Sequence, residues 1–140
     1  MEYFRCGDKI VLRLDPKDEI TESIIKLAEK ENISAAGVSG IGATDDFTVG
    51  VFDMKKGDYE KFFYNGNHEI NVLTGNITEV NGKPYVHLHL SATGKGGKVV
   101  GGHLIKAIIS LTAEIIVDII PADITRKRNE TLKINTLSFK

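Results

Sequence analysis

The chain has 140 residues, of which 41% are apolar and 26% charged, with a formal net charge of −1 and one cysteine. That length suits one domain with its own core, and so balanced a charge leaves no global field to gather nucleic acid. A lone Cys6 excludes an internal disulfide framework and fits a reducing compartment, where it serves as a small apolar filler.

The opening residues, Met1-Glu2-Tyr3-Phe4-Arg5, lack the basic-then-apolar build of a secretory leader. The apolar run Ile115-Ile116-Val117 is stopped by Asp118 and is far too short to cross a bilayer. A cytoplasmic protein with no membrane segment is the expectation.

Taken in order, residues 2–14 read as two short extended pieces around Gly7-Asp8, with Ile10, Leu12 and Leu14 on one side. Asp15-Pro16 then predicts a helix, because Asp caps well and Pro suits the first helical position. Ile20, Ile24, Leu27 and Ala28 recur at helical spacing up to about Lys30, and Asn32 can close the helix. The small, Gly-rich stretch from Ala35 to Ala43 resembles a phosphate-cradling loop only in composition. Its spacing is wrong for the dinucleotide fingerprint and no helix pattern follows, so it reads as a tightly packed strand.

Phe47–Asp53, Tyr59–Tyr64 and Glu69–Glu79 alternate like strands, with turns predicted at Lys56-Gly57-Asp58 and Asn65-Gly66-Asn67. Asn81-Gly82 is a strong type I′ hairpin signal joining Ile70–Val80 to Pro84–Ser91. Thr93-Gly94-Lys95-Gly96-Gly97 reads as a flexible loop. Ile108–Ile120 is a long β-branched run suited to a central strand buried on both faces. The basic cluster Arg126-Lys127-Arg128 reads as a solvated loop before a last strand over Thr131–Phe139. One helix followed by hairpins predicts an α+β fold over 1–140, a mainly antiparallel twisted sheet with one principal N-terminal helix packed on it.

The chemistry concentrates in Tyr85-Val86-His87-Leu88-His89-Leu90 and Gly101-Gly102-His103, which hold three of the four histidines. Side chains two apart on a strand share a face, so His87 and His89 project together while Leu88 and Leu90 turn the other way. His103 on a neighbouring strand can complete a three-nitrogen site, since Gly101 and Gly102 let strands approach closely. Such a set suits zinc or another late transition metal, and without a thiolate it keeps a position open for water or a small molecule. The competing reading is three hydrogen-bonded core histidines. A cupin, the other His-X-His strand fold, needs a Glu shortly after the second His, where this chain has Ser91-Ala92-Thr93-Gly94.

Glu114 is the candidate general base, as a carboxylate inside an otherwise apolar strand; its plainer role is an ion pair with Arg13 or a lysine. His68, beside Asn65-Gly66-Asn67, reads as a surface residue. DNA binding has only Arg126-Lys127-Arg128, with Lys95, Lys98 and Lys106, as local support.

The order and spacing of Gly75-Asn76-Ile77, Pro84-Tyr85-Val86-His87-Leu88-His89, Gly101-Gly102-His103-Leu104 and Thr112-Ala113-Glu114-Ile115 resemble the PPC domain of plants and prokaryotes. Val11–Asp15 and Gly40–Ala43 are similar to it as well, so the likeness runs over about residues 3–120. It implies a twisted antiparallel sheet with one helix, a homotrimer with sites near the subunit contacts, and a metal on His87, His89 and His103. Plant members carry an AT-hook before the domain; this sequence has none and is like the stand-alone prokaryotic members, whose DNA-binding label comes from those plant relatives.

Overall fold

The structure, a computed structural model, describes residues 1–139. It holds eight strands: β1 (Glu2–Cys6), β2 (Lys9–Leu14), β3 (Ala36–Asp53), β4 (Asp58–Val80), β5 (Lys83–Thr93), β6 (Val99–Ile119), β7 (Thr125–Asn129) and β8 (Ile134–Ser138). Among the described residues there is one α-helix, α1 (Ile20–Glu31), and one short 3-10 turn, Lys95–Gly97. The strands form one sheet in the order β1-β2-β6-β3-β4-β7-β8, with β5 paired to both β4 and β6. Every pairing is antiparallel except the single parallel contact of β4 with β7. The expected class, a mostly antiparallel twisted sheet with one helix, is what the chain adopts.

Because β5 pairs with β4 on one side and β6 on the other, the long strands β3, β4, β5 and β6 close on one another. The closure wraps a single apolar core. Ile10, Leu12 and Leu14 enter it from β2, Phe47 and Val49 from β3, Leu88 and Leu90 from β5, and Ile115 and Val117 from β6. α1 lies against β5 and β6 and fills it with Ile20, Ile24, Leu27 and Ala28, all fully buried or nearly so. Each buried Ile or Leu contributes about 2 kcal/mol relative to exposure, which is why the helical spacing of these four positions holds the helix in place.

The helix begins later than the sequence predicts. Its N-cap is Glu19, whose carboxylate accepts from the Glu22 N–H at 2.7 Å, not Asp15. Residues 15–18 are tied elsewhere: Lys17 N–H donates to the Ile109 carbonyl at 2.8 Å, and Ile109 N–H to the Asp18 carbonyl at 2.9 Å. Those bonds extend the sheet by a step before the helix can start. At its other end Asn32 closes the helix in the left-handed conformation, as expected, with φ 54°.

Three further expectations change. Asn65-Gly66-Asn67 is not a turn but a bulge inside β4: Thr44 pairs with His68 and Asp46 with Asn65, so β4 carries one residue more than β3 over that interval. Ile108–Ile120 is central, between β2 and β3, yet buried on one face only; Leu111, Glu114, Ile116 and Asp118 point outward. Cys6 is exposed rather than a core filler. The Gly-rich stretch is a strand, and a Cβ on Gly42 would sit 2.6 Å from the Thr112 carbonyl oxygen, so close packing against β6 explains the small residue there.

Candidate metal centre

The Asn81-Gly82 turn has positive φ at both residues, 52° and 72°, as a type I′ hairpin requires. It sets the register of β5 on β4, with Val80 opposite Lys83 and Asn76 opposite His87. Leu88 and Leu90 drop into the core, each 2% exposed, and the alternation turns His87 and His89 to the outer face. His103 comes in from β6 directly opposite His89. The close approach of these strands needs residues without side chains. A Cβ on Gly75 would strike the His87 carbonyl oxygen, and one on Gly101 would strike that of Leu90.

On its other side His103 pairs with Gly50 of β3. Gly50 leaves the space in which the Tyr59 ring lies, stacked on the His103 imidazole with centroids 4.5 Å apart at 19°. The three imidazoles lie 5.0–5.5 Å apart, centroid to centroid. One nitrogen from each falls within 4.8 Å of the others. Nitrogens sharing a tetrahedral zinc at about 2.1 Å stand roughly 3.4 Å apart, so small side-chain rotations complete a site.

The donors also fit a cation electrostatically. Burial first, then Arg126 and His89, hold His87 below the ordinary imidazole range. Burial first, then His87 and His89, push His103 down to about 4. Both rings are therefore neutral near pH 7 and offer lone pairs. His103 Nδ1 is buried without a hydrogen-bond partner, the one such side-chain atom found among the described residues. A buried polar atom left unpaired is costly, and coordination would satisfy it.

The basic cluster does not form a solvated loop. Residues 125–129 are β7, hairpinned to β8, and Arg126 turns inward to 9% exposure. Its Nε–H donates to Thr78 Oγ1 at 2.9 Å, one terminal nitrogen to the Asn135 carbonyl at 3.0 Å, and the other to Asn76 Oδ1 at 2.9 Å. That last nitrogen also lies 3.3 Å from His87 Nδ1, and the guanidinium covers the Tyr85 ring at 5.1 Å. A neutral imidazole has one lone pair, so accepting from Arg126 and binding a cation are alternatives for His87. Arg126 and Tyr59 carry no sequence signal as site residues: a charge run reads as solvated, and only pairing across the sheet brings either to the histidines.

Glu114 stands apart from the histidines. It is exposed on β6 opposite Ile41, eleven residues along the same strand from His103. The expected ion pair with Arg13 does not form either, for Arg13 bonds Glu2 at 2.8 Å and Asp15 at 3.0 Å. Glu114 instead lines an apolar groove of about 630 Å³ with Arg13, Ile41, Thr74 and Ile116. His68 is half-buried, edge-on to Phe47 at 5.0 Å, and takes no part in the cluster.

The sequence matches the model of the Plants and Prokaryotes Conserved (PCC) domain over residues 1–121. Solved structures of similar chains extend past that limit. A candidate DNA-binding protein from Bacteroides thetaiotaomicron superposes with a TM-score of 0.95 at 28% identity, over 99% of this chain and 96% of its own. A metal-containing protein from Archaeoglobus fulgidus gives 0.87 at 29% identity, over 97% and 96%. A plant- and prokaryote-conserved protein from Pyrococcus horikoshii gives 0.88 at 27% identity, over 99% and 94%. No curated protein matches the sequence.

Proposed function

The chain belongs to the Plants and Prokaryotes Conserved domain family, and from that premise we propose that it is a cytoplasmic, homotrimeric metal-binding protein. Its ion is divalent, zinc in the first instance, and sits on His87, His89 and His103. The observation that carries this reading is the convergence of three imidazoles with a buried, unpartnered His103 Nδ1. The likeness to a metal-containing archaeal protein supports it. Bound there, a divalent ion supplies a Lewis acid with an open position for a small molecule. The chain's own residues position the imidazoles and the charge beside them: Tyr59 stacks on His103, and Asn76 and Thr78 fix Arg126 beside His87.

Metal analysis of the purified protein tests the site. About one equivalent per chain is expected, falling at least tenfold in His87→Ala and in His89→Ala, because two neutral donors hold an ion far more weakly than three. Equal metal content in all three proteins would sink the reading.

The trimer draws support from the outer face. Val11, Ile41, Val72 and Ile116 leave an apolar strip exposed across β2, β3, β4 and β6, the kind of patch that marks an interface. Thr74, at the edge of that groove, is directly opposite His89, so a neighbouring copy seated there would approach the histidines. Only across such a contact does Glu114 remain a candidate general base. The second reading, a DNA-binding or regulatory module, draws on the name of the Bacteroides relative. It has less local support, because Arg126 faces the histidines and leaves Lys127 and Arg128 as the exposed part of the cluster. Sedimentation at low ionic strength reads both points: a mass three times 15.4 kDa is expected, unchanged by added duplex DNA. A monomer removes the trimer, and a salt-sensitive shift with DNA restores the second reading.

A further inference from the structure

Beside the histidines lies a cavity of about 300 Å³ walled by Tyr59, Tyr85, His87, His103 and three cations, Arg126, Arg128 and Lys133. The one carboxylate on its wall is Asp58, whose Oδ1 already accepts from the Tyr59 N–H at 2.7 Å. Arg126 is buried, yet each of its hydrogen-bond partners is neutral, and among the described residues no carboxylate pairs with it, with Arg128 or with Lys133. A buried cation without a counter-charge is costly, and a doubly charged ion on the three imidazoles would add to the imbalance.

We propose that this cavity binds a small oxyanion, a phosphate or carboxylate group, between Arg126 and the ion on the three histidines; the proposal rests on the metal reading above. The geometry gives the two cations different parts. Arg126 is locked by Thr78, Asn76 and Asn135, so it is a fixed charge rather than a flexible one. When His87 gives its lone pair to an ion, the Arg126 N–H that lay 3.3 Å from Nδ1 is released to another acceptor. An oxyanion offers that acceptor and neutralises both centres at once. Arg128 and Lys133 are exposed and set the charge of the entrance, while the Tyr59 and Tyr85 rings flank the body of the ligand.

Cobalt(II) in place of zinc makes the site visible. The full chain, loaded with Co(II), is titrated at constant ionic strength with inorganic phosphate in one arm and acetate in the other. A saturable shift of the visible bands is expected in at least one arm, and the stronger arm identifies phosphate or carboxylate as the preferred group. In the double variant Arg128→Gln, Lys133→Gln, whose side chains lie outside the core, Co(II) uptake is expected to be unchanged while half-saturation moves at least fivefold higher. Bands that stay put in both arms, or equal half-saturation in variant and wild type, overturn the oxyanion site and leave the metal reading standing. A chain that takes up no Co(II) overturns both.

Discussion

Gly75→Ala is expected to destabilise the protein by about 3 kcal/mol or more, the upper range for adding one methyl group. The new Cβ would fall on the His87 carbonyl oxygen and lie 2.9 Å from both the His87 carbonyl carbon and the Leu88 Cα. These are backbone atoms of the paired strand, so no side-chain rotation relieves the collision. β4 and β5 must separate, and the separation pulls at Ile77 and Leu88, which are 0% and 2% exposed in the core. Gly37→Ala is the control: it lies in a strand of the same sheet, at negative φ, with nothing within 4 Å of the added methyl. It is expected to change stability by less than about 0.5 kcal/mol. Urea unfolding of the two variants beside wild type measures both. Equal midpoints for Gly75→Ala and Gly37→Ala would refute the tight contact. Because His87 sits on the carbonyl that moves, Gly75→Ala is also expected to lose metal while every histidine remains in place.

Arg126→Met should loosen the C-terminal hairpin and leave the rest of the sheet folded. Apart from Arg126, β7 meets β4 through one parallel pairing, Glu79 with Thr125, and through the Glu79 N–H donating to the Ile124 carbonyl at 3.2 Å. Arg126 supplies the main polar tie, with two hydrogen bonds of 2.9 Å to Thr78 and Asn76 on β4, while a third, of 3.0 Å to the Asn135 carbonyl, stays within the hairpin. Methionine keeps much of the apolar stem and removes every donor. Two effects then oppose one another: relief from burying a charge, and the loss of the hydrogen bonds that Thr78, Asn76, Asn135 and His87 receive. The second is larger here, because Thr78 is itself buried at 3% exposure and cannot turn to water. The net cost is about 2 kcal/mol, confined to residues 122–139. Limited proteolysis should cut this segment about tenfold to a hundredfold faster, with the main thermal transition nearly unmoved. Arg126→Lys keeps the charge without the planar fork and should fall between the two. Cleavage spread evenly over the chain, or no acceleration at all, would contradict this account.

Much of the site was legible in residues close together in sequence. Alternation over Tyr85–Leu90 assigns His87 and His89 to one face, and Leu88 and Leu90 to the other, before any partner strand is known. Asn81-Gly82 places those residues in a hairpin, since both turn positions need positive φ. The α1 stripe and its Asn32 stop are equally local. What failed depended on distant partners. Asp15-Pro16 looks like a helix start, but residues 17 and 18 find their hydrogen bonds on Ile109. Asn65-Gly66-Asn67 has the composition of a turn, and β3 runs alongside to make it a bulge. Glu114 is misleading for the same reason: an acid in an apolar strand suggests a buried partner, whereas β6 leaves one face open.

The sequence by itself determined that His87 and His89 share a face, where the hairpin turns, and that the candidate donors are all nitrogen. Those are properties of a period-two backbone and of single residues with special φ, both readable over a few positions. Only the tertiary structure decided that His103 meets the pair, that Tyr59 stacks on it across Gly50, and that Arg126, thirty-nine residues from His87, shares its lone pair. Strand closure brings these together, and closure depends on register and bulges between segments that no local pattern relates. The charge of the site belongs to that second category: three histidines are written in the sequence, and the cations around them are assembled by the fold.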